Sequence, residues 1–175
     1  MTTLVRPDTR WHESWTATVR DFGNLATMHG SGSWLVERVE PTELGCALFV
    51  RTVLEHETPS PGGRTVANTA YWITDGDDEE PGEVVGFLHL RHELNDRLLE
   101  DGGHIGYSIR PARRREGHAG RALALGVGRA ADLGIDRVLV TCDVDNDASR
   151  RTIERNGGAL EDIRGNMRRY WITVG

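Results

Sequence analysis

The sequence predicts a mixed α/β (α+β) fold, a largely antiparallel sheet covered by helices on both faces, and two observations carry it. Helical patterns come early and are followed by a run of alternating strands, and the last third reads β-α-β-α-β. Residues 11–24 form the first expected helix. Residues 41–57 form the second, with Pro41 in its first turn and Leu44, Ala47, Leu48, Arg51 and Leu54 at helical spacing. Between them, 25–33 is rich in glycine and serine. Two prolines and two glycines make 58–63 a surface loop. Residues 66–74 and 83–91 read as strands joined by the acidic turn DGDDEEPG, a hairpin whose charge is solvated decoration. A turn at 94–99 leads to a strand at 103–109. Then follow helix 117–133, strand 136–142, helix 148–156 and strands 159–163 and 167–173, with Gly165-Asn166 between the last two. No internal repeat or linker interrupts the chain, so residues 1–175 are expected to be one domain.

The most informative stretch runs from Gly103 to Gly120, GHIGYSIRPARRREGHAG. A strand breaks at Arg110-Pro111 and feeds a basic, glycine-punctuated turn into a helix with Ala119, Ala122, Leu123, Gly126, Val127 and Ala130 on one stripe, ended by Gly134. The first NH groups of such a helix lack intrahelical partners, so a pyrophosphate can accept from them with help from the helix dipole. Glycine at 117 permits close approach. Arg110, Arg113, Arg114, Arg115 and Arg121 concentrate positive charge there.

The spacing Arg114-x-x-Gly117-x-Ala119 resembles the acetyl-CoA signature of the GNAT N-acetyltransferase superfamily, Arg/Gln-x-x-Gly-x-Gly/Ala. Downstream, Asn146-x-x-Ser149 and Glu154-Arg155-Asn156-Gly157-Gly158 resemble the superfamily's next motif, in the serine variant that also marks ribosomal-protein alanine acetyltransferases. HGSGSW at 29–34, Tyr71-Trp72, Leu90-Arg91-His92-x-Leu94-Asn95, Gly102-Gly103-His104-Ile105-Gly106-Tyr107 and Arg169-Tyr170-Trp171-Ile172 are similar to a group of bacterial predicted acetyltransferases. The resemblance covers the chain from about His29 onward. It implies the GNAT fold, with the strand ending at Ile109 splayed from the strand at 138–142, and acetyl-CoA or coenzyme A as donor. The pantetheine arm would lie in the gap as a substitute strand, with contacts expected at the backbone of Ile109 and Pro111. The implied cofactor set is Ile109, Arg110, Pro111, Arg114, Arg115, Gly117, His118, Ala119, Gly120, Arg121, Asn146 and Ser149. His118 is expected to contribute its backbone, with its side chain outward.

Acetyl transfer needs a polarised thioester, a neutral amine and a stabilised thiolate. A backbone NH near Ile109 or Arg110 is the expected oxyanion donor. An alkylammonium of pKa ~10 must lose a proton, and a thiol of pKa ~8.5 needs only modest help to leave. Many superfamily members use a tyrosine seven residues after the motif asparagine, but Ile153 holds that position here. Ser149 is then the candidate donor to the sulfur, and the alternative is a helix cap. Asn146 has the same two readings, and Tyr170 is a second candidate donor against a core role. His104 is the first candidate base, with a structural histidine as the alternative, and Glu93 is the runner-up. His29 sits in a segment suited to shaping specificity.

Composition bounds the rest. The 38% apolar and 27% charged residues are ordinary for a globular protein. No apolar run approaches a membrane span and no signal peptide is evident, so a cytoplasmic protein is expected. Cys46 and Cys142 read as two reduced thiols, and no histidine pair has metal-ligand spacing. A net charge of -6 disfavours nucleic acid. All 21 basic residues are arginine, so the lysine of an ATP-binding P-loop is missing. The expected function is an acetyl-CoA-dependent N-acetyltransferase acting on a small-molecule amine in a ternary complex. A protein amino terminus as acceptor and a noncatalytic CoA-binding domain are the alternatives, and a homodimer is left open.

Overall fold

Trp15, Thr18, Val19 and Phe22 recur at i, i+3, i+4 and i+7, and this stripe buries helix α1, His12–Phe22, against the first sheet. The computed structural model describes residues 1–59, 65–77, 80 and 82–175. Most of the loop expected at 58–63 and the middle of the acidic turn at 75–82 lie outside these described residues. Helix α2, Glu43–Glu55, starts at a Thr42 cap whose Oγ1 accepts from the Gly45 N–H at 3.0 Å. Two expectations for α2 are corrected. Pro41 precedes the cap and does not occupy the first turn. The buried stripe is Gly45, Cys46, Phe49, Val50 and Val53, while Leu44 and Leu48 are 70% and 45% exposed. Both stripes satisfy the helical period. The aromatic contact decides, because Phe49 meets Trp15 with ring centroids 5.4 Å apart.

Strands β1 (Thr3–Val5), β2 (Asn68–Thr74), β3 (Val84–Arg91) and β4 (Ile105–Ile109) form one sheet in the order β1-β2-β3-β4. The three-residue β1 was not expected from the sequence; it is too short to show a period. A five-residue helix, α3 (Asp96–Glu100), replaces the expected turn, with Asn95 Oδ1 capping the Leu98 N–H at 3.0 Å. Helix α4, His118–Asp132, packs Ala122, Leu123 and Ala130 on the face of this sheet opposite α1 and α2. β3 is buried from Val84 to Leu90 because it is covered on both sides. Strands β5 (Arg137–Asp143), β6 (Ala159–Arg164) and β7 (Met167–Thr173) make a second sheet in the order β5-β7-β6, and helix α5 (Asp147–Arg155) sends Ile153 into the core shared with α4. All strand pairs among the described residues are antiparallel.

The strands thus form two sheets, divided where the splay between β4 and β5 was expected. β4 and β5 share no ladder. They meet only at one end, where His104 N–H donates to Leu139 O at 2.7 Å and Leu139 N–H donates to His104 Nδ1 at 2.9 Å. Gly103, with φ 57, lies so close that a Cβ would stand 2.3 Å from Leu139 O. Gly103 thus accommodates the close approach of β5.

Candidate active site

The gap between β4 and β5 is lined by backbone that has lost its partner. Arg91 N–H donates to His104 O and Arg110 N–H to Val85 O. Bonded and non-bonded pairs alternate along an antiparallel ladder. The β3–β4 register therefore commits Gly106 and Ser108 to β3 and turns the backbone of Ile105, Tyr107 and Ile109 toward β5. By the same alternation from the Val144 to Asn166 bond, β5 turns Leu139, Thr141 and Asp143 toward β4. Leu139 is taken by His104, which leaves Thr141 and Asp143 facing the open part. Arg110 N–H is already bonded, so of the two expected oxyanion donors only Ile109 N–H points into the gap. Ile109 O is taken by Arg114 Nε at 3.0 Å, and Pro111 O accepts from Arg114 N–H.

The gap opens into a cleft of about 640 Å³. One wall is the 25–34 segment, held to β4 by Ser108 Oγ, which donates to His29 O at 2.6 Å. Gly30 packs so closely that a Cβ would sit 2.2 Å from Gly106 O.

At the far end stands the amino terminus of α4. Gly117 is its N-cap, in the left-handed region at φ 85, and no side chain caps it. Arg121 N–H already bonds Gly117 O, so the unpartnered donors are those of His118, Ala119 and Gly120. Among the described residues Arg115, at φ 66, is the non-glycine residue with positive φ, and such backbone outliers cluster at functional sites. The five arginines are not equivalent. Arg110 pairs with Asp21 and Glu83, and Arg113 with Asp75 and Glu116. Arg121 bonds Thr2 Oγ1 and Glu116 O, while Arg114 and Arg115 make no ion pair among the described residues. The His118 side chain is turned inward, a correction to the expected outward position. It is 4% exposed and bonds Thr2 Oγ1 at 2.9 Å through Nδ1. The β1 strand missed in the sequence provides that partner.

The start of α5 brings the sulfur-side candidates together. Asn146 Oδ1 caps the helix by accepting from Ser149 N–H at 3.0 Å. Ser149 is left to use its hydroxyl elsewhere, and Oγ lies 3.0 Å from Tyr107 Oη. Burial pushes Tyr107 up to about 12, against the lowering effect of the Ser149 hydrogen bond, so the phenol keeps its proton. Burial also raises the Cys142 thiol beside Ser149. Cys46 and Cys142 are both free thiols. Tyr170, 1% exposed, donates to Glu154 Oε1 and does not line the cleft.

His104 and Glu93 lie outside the cleft lining. Glu93 is exposed on the turn after β3. His104 is 7% exposed, edge-on to Trp171, with Nδ1 accepting from a backbone N–H, so the proton of the neutral ring is on Nε2. Burial first, and the Arg91 cation second, pull its pKa from 6.5 to about 4. In that window the unfolded chain binds the proton and the folded protein does not. The His104 contribution is complete above about pH 6.5 and is lost as pH falls toward 4. We expect His104→Asn to flatten this part of the stability profile by roughly 3 kcal/mol, read from denaturant midpoints of variant and wild type across pH. A histidine exposed to solvent in the native protein would leave the two profiles parallel.

Sequence reasoning assigned no functional role to Tyr107, Trp34, Arg91, Arg97, Asp101 or Asp143, all of which line the cleft, although Trp34, Arg91 and Tyr107 fall in segments that carry the family resemblance. The parity of β4 was available as a signal for Tyr107, since residues 105, 107 and 109 share one face. No local pattern assigns a role to the others. Among the described residues no group of three or more His, Cys, Asp or Glu side chains could hold a metal ion, and no helix is long and apolar enough to cross a membrane.

Comparison with known proteins bears on this arrangement. The chain superposes on the microcin self-immunity acetyltransferase MccE, solved with acetyl-CoA and AMP, with a TM-score of 0.61 and 15% identity, covering 99% of this chain and 92% of that one. It superposes on RimJ of Mycobacterium smegmatis, solved with CoA-disulfide, at 0.67 and 21%, covering 98% and 81%. A Salmonella typhimurium acetyl transferase that modifies the N-terminal serine of ribosomal protein L7/L12 gives 0.63 and 17%, covering 99% and 95%. These likenesses show the shared fold. A search of curated proteins found none that matches the sequence. The domain family described as the Acetyltransferase (GNAT) domain matches residues 64–159, which run from before β2 through the splay and the α4 cradle to the start of β6. That match spans more than half of the chain, and the chain accordingly belongs to the GNAT acetyltransferases, acyltransferases whose donor is acetyl-CoA.

Proposed function

We propose that the protein transfers the acetyl group of acetyl-CoA to the primary amine of a small molecule by direct attack in a ternary complex. The observation that carries this reading is the hydroxyl pair Tyr107 Oη and Ser149 Oγ, 3.0 Å apart at the inner edge of the splay. The pyrophosphate lies on the His118, Ala119 and Gly120 amides, with Arg114, Arg115 and Arg121 beside it. The pantetheine amides pair with the backbone of Ile105, Tyr107 and Ile109, and an N–H of this edge holds the thioester oxygen as charge develops. The amine nitrogen attacks the carbonyl carbon, the C–S bond breaks and its electron pair stays on sulfur. Ser149 donates to that sulfur while Tyr107 donates to Ser149, and the phenol from β4 thereby serves in place of the tyrosine that Ile153 displaces. The amine proton leaves by water to the cleft groups Asp101, Asp143 or His29. His104 acts as the pin that starts the splay, and Glu93 is a solvated turn residue.

The 25–34 wall, packed on β4 at Ser108 and Gly106, bounds one side of the cleft and favours a small acceptor. The Salmonella typhimurium neighbour, described as modifying the N-terminal serine of a ribosomal protein, supports a protein amino terminus as the second reading. A thiol-release assay over amines and short peptides tests the proposal: release that depends on a small amine supports it, and release only with peptides favours the second reading. CoA binding without release on any acceptor refutes both.

A further inference from the structure

Arg91 is a largely desolvated cation with no ion pair among the described residues. It ends β3, and Nη1 donates to Gly102 O and Gly103 O, each at 3.0 Å. Among the described residues no hydrogen bond engages its Nε or Nη2, and Arg91 lines both the cleft and a small adjoining pocket of about 30 Å³ that it shares with Trp34, Arg97 and His89. Arg97 lines the same cleft from the first turn of α3, is exposed, and has no ion pair among the described residues. Arg110, Arg113 and Arg169, by contrast, are matched with carboxylates: Arg110 with Asp21 and Glu83, Arg113 with Asp75 and Glu116, Arg169 with Glu161 and Asp162. Burial and the neighbouring Arg97 cation lower Arg91 to about 10, and Asp101 offsets only part of this. A desolvated guanidinium with its fork unfilled is stabilised by a carboxylate or phosphate that can accept two parallel N–H bonds. Trp34 completes the corner. It is 51% exposed, its ring lies 5.8 Å from Arg91 Cζ and 5.2 Å from the His89 ring, and it also lines the cleft.

We propose that the acceptor carries an anionic group, a carboxylate or a phosphate, which docks on Arg91 and Arg97 while Trp34 covers the adjoining apolar or aromatic part. The site then selects anionic amines over neutral ones. Naming this ligand the acceptor rests on the acetyltransferase reading, whereas the anion site itself does not.

Calorimetry on the CoA-saturated protein tests the site without turnover, using two matched pairs: N-acetylphenylalanine against its carboxamide, and AMP against adenosine. The expected result is that the anionic member of at least one pair binds about tenfold or more tightly than its neutral partner. The discriminating pair identifies the group as carboxylate or phosphate. Arg97→Ala should shrink that preference to about twofold, and Arg91→Lys, which keeps the charge but not the fork, should reduce it several-fold. Melting temperatures confirm that the variants are folded. Failure of both pairs to discriminate, or a preference that survives Arg97→Ala and Arg91→Lys unchanged, overturns the proposal. Anion-dependent binding with no thiol release on free phenylalanine or any other amine refutes the acetyltransferase reading and leaves the anion site standing.

Discussion

Tyr107→Phe will slow acetyl transfer by roughly 10²-fold while leaving CoA affinity nearly unchanged. The phenol lies 3.0 Å from Ser149 Oγ, and its raised pKa keeps it a donor across the working range of pH. Its partner hydroxyl becomes a stronger and better-oriented donor to the leaving sulfur when its own lone pair accepts from the phenol. The interaction strengthens as thiolate character grows, so its loss appears in kcat and not in donor binding. Ser149→Ala should cost a similar factor. The double variant should be no worse than the worse single one, because the two hydroxyls act as one unit. Some stability, on the order of 1 kcal/mol, will also go, since either change leaves a hydroxyl short of a partner. Steady-state kinetics with calorimetric CoA affinities separate the cases. Activity falling only in step with melting temperature would mean the pair is scaffold.

Gly117→Glu will abolish CoA binding in a protein that still folds. Gly117 holds φ 85, and a Cβ there would stand 2.7 Å from Arg121 Nη1, the movable end of a side chain. The substitution therefore strains the cap by a modest amount, of order 1–3 kcal/mol. A carboxylate before the α4 amino terminus is itself favoured by the dipole and occupies the space a pyrophosphate needs. Thermal shift is the measurement. At a CoA concentration of about 100 times Kd the wild type gains ~2.7 kcal/mol, and the variant should gain nothing. Arg114→Ala should retain most of the shift, because a screened surface charge contributes little and Arg114 Nε is engaged by Ile109 O.

Much of this architecture was legible because it rests on local periods. The stripe of α4, the Arg110-Pro111 break, Gly117 and the β-α-β-α-β order each follow from neighbouring residues, and with the resemblance they located the splay. What was missed depends on contacts distant in sequence. α2 carries two apolar stripes, and only its packing against Trp15 selects one. His104 looks like a base by position, yet its ring substitutes for a missing ladder bond to Leu139, a residue 35 positions away. The arginine cluster reads as uniform cofactor charge, but Arg110 and Arg113 are engaged by acids from α1 and the β2–β3 connection. Tyr107 gains its meaning only when α5 delivers Ser149 to it.

The central claim is that the donor fills the splay as a substitute strand with its pyrophosphate on α4, and amide hydrogen exchange with and without CoA tests it most directly. The account predicts new protection at Ile105, Tyr107 or Ile109 on β4 and at His118, Ala119 and Gly120. Gly106 and Ser108, already bonded to β3, should change little. Protection confined to residues outside β4 and the α4 amino terminus, or equal protection at odd and even positions of β4, would contradict it.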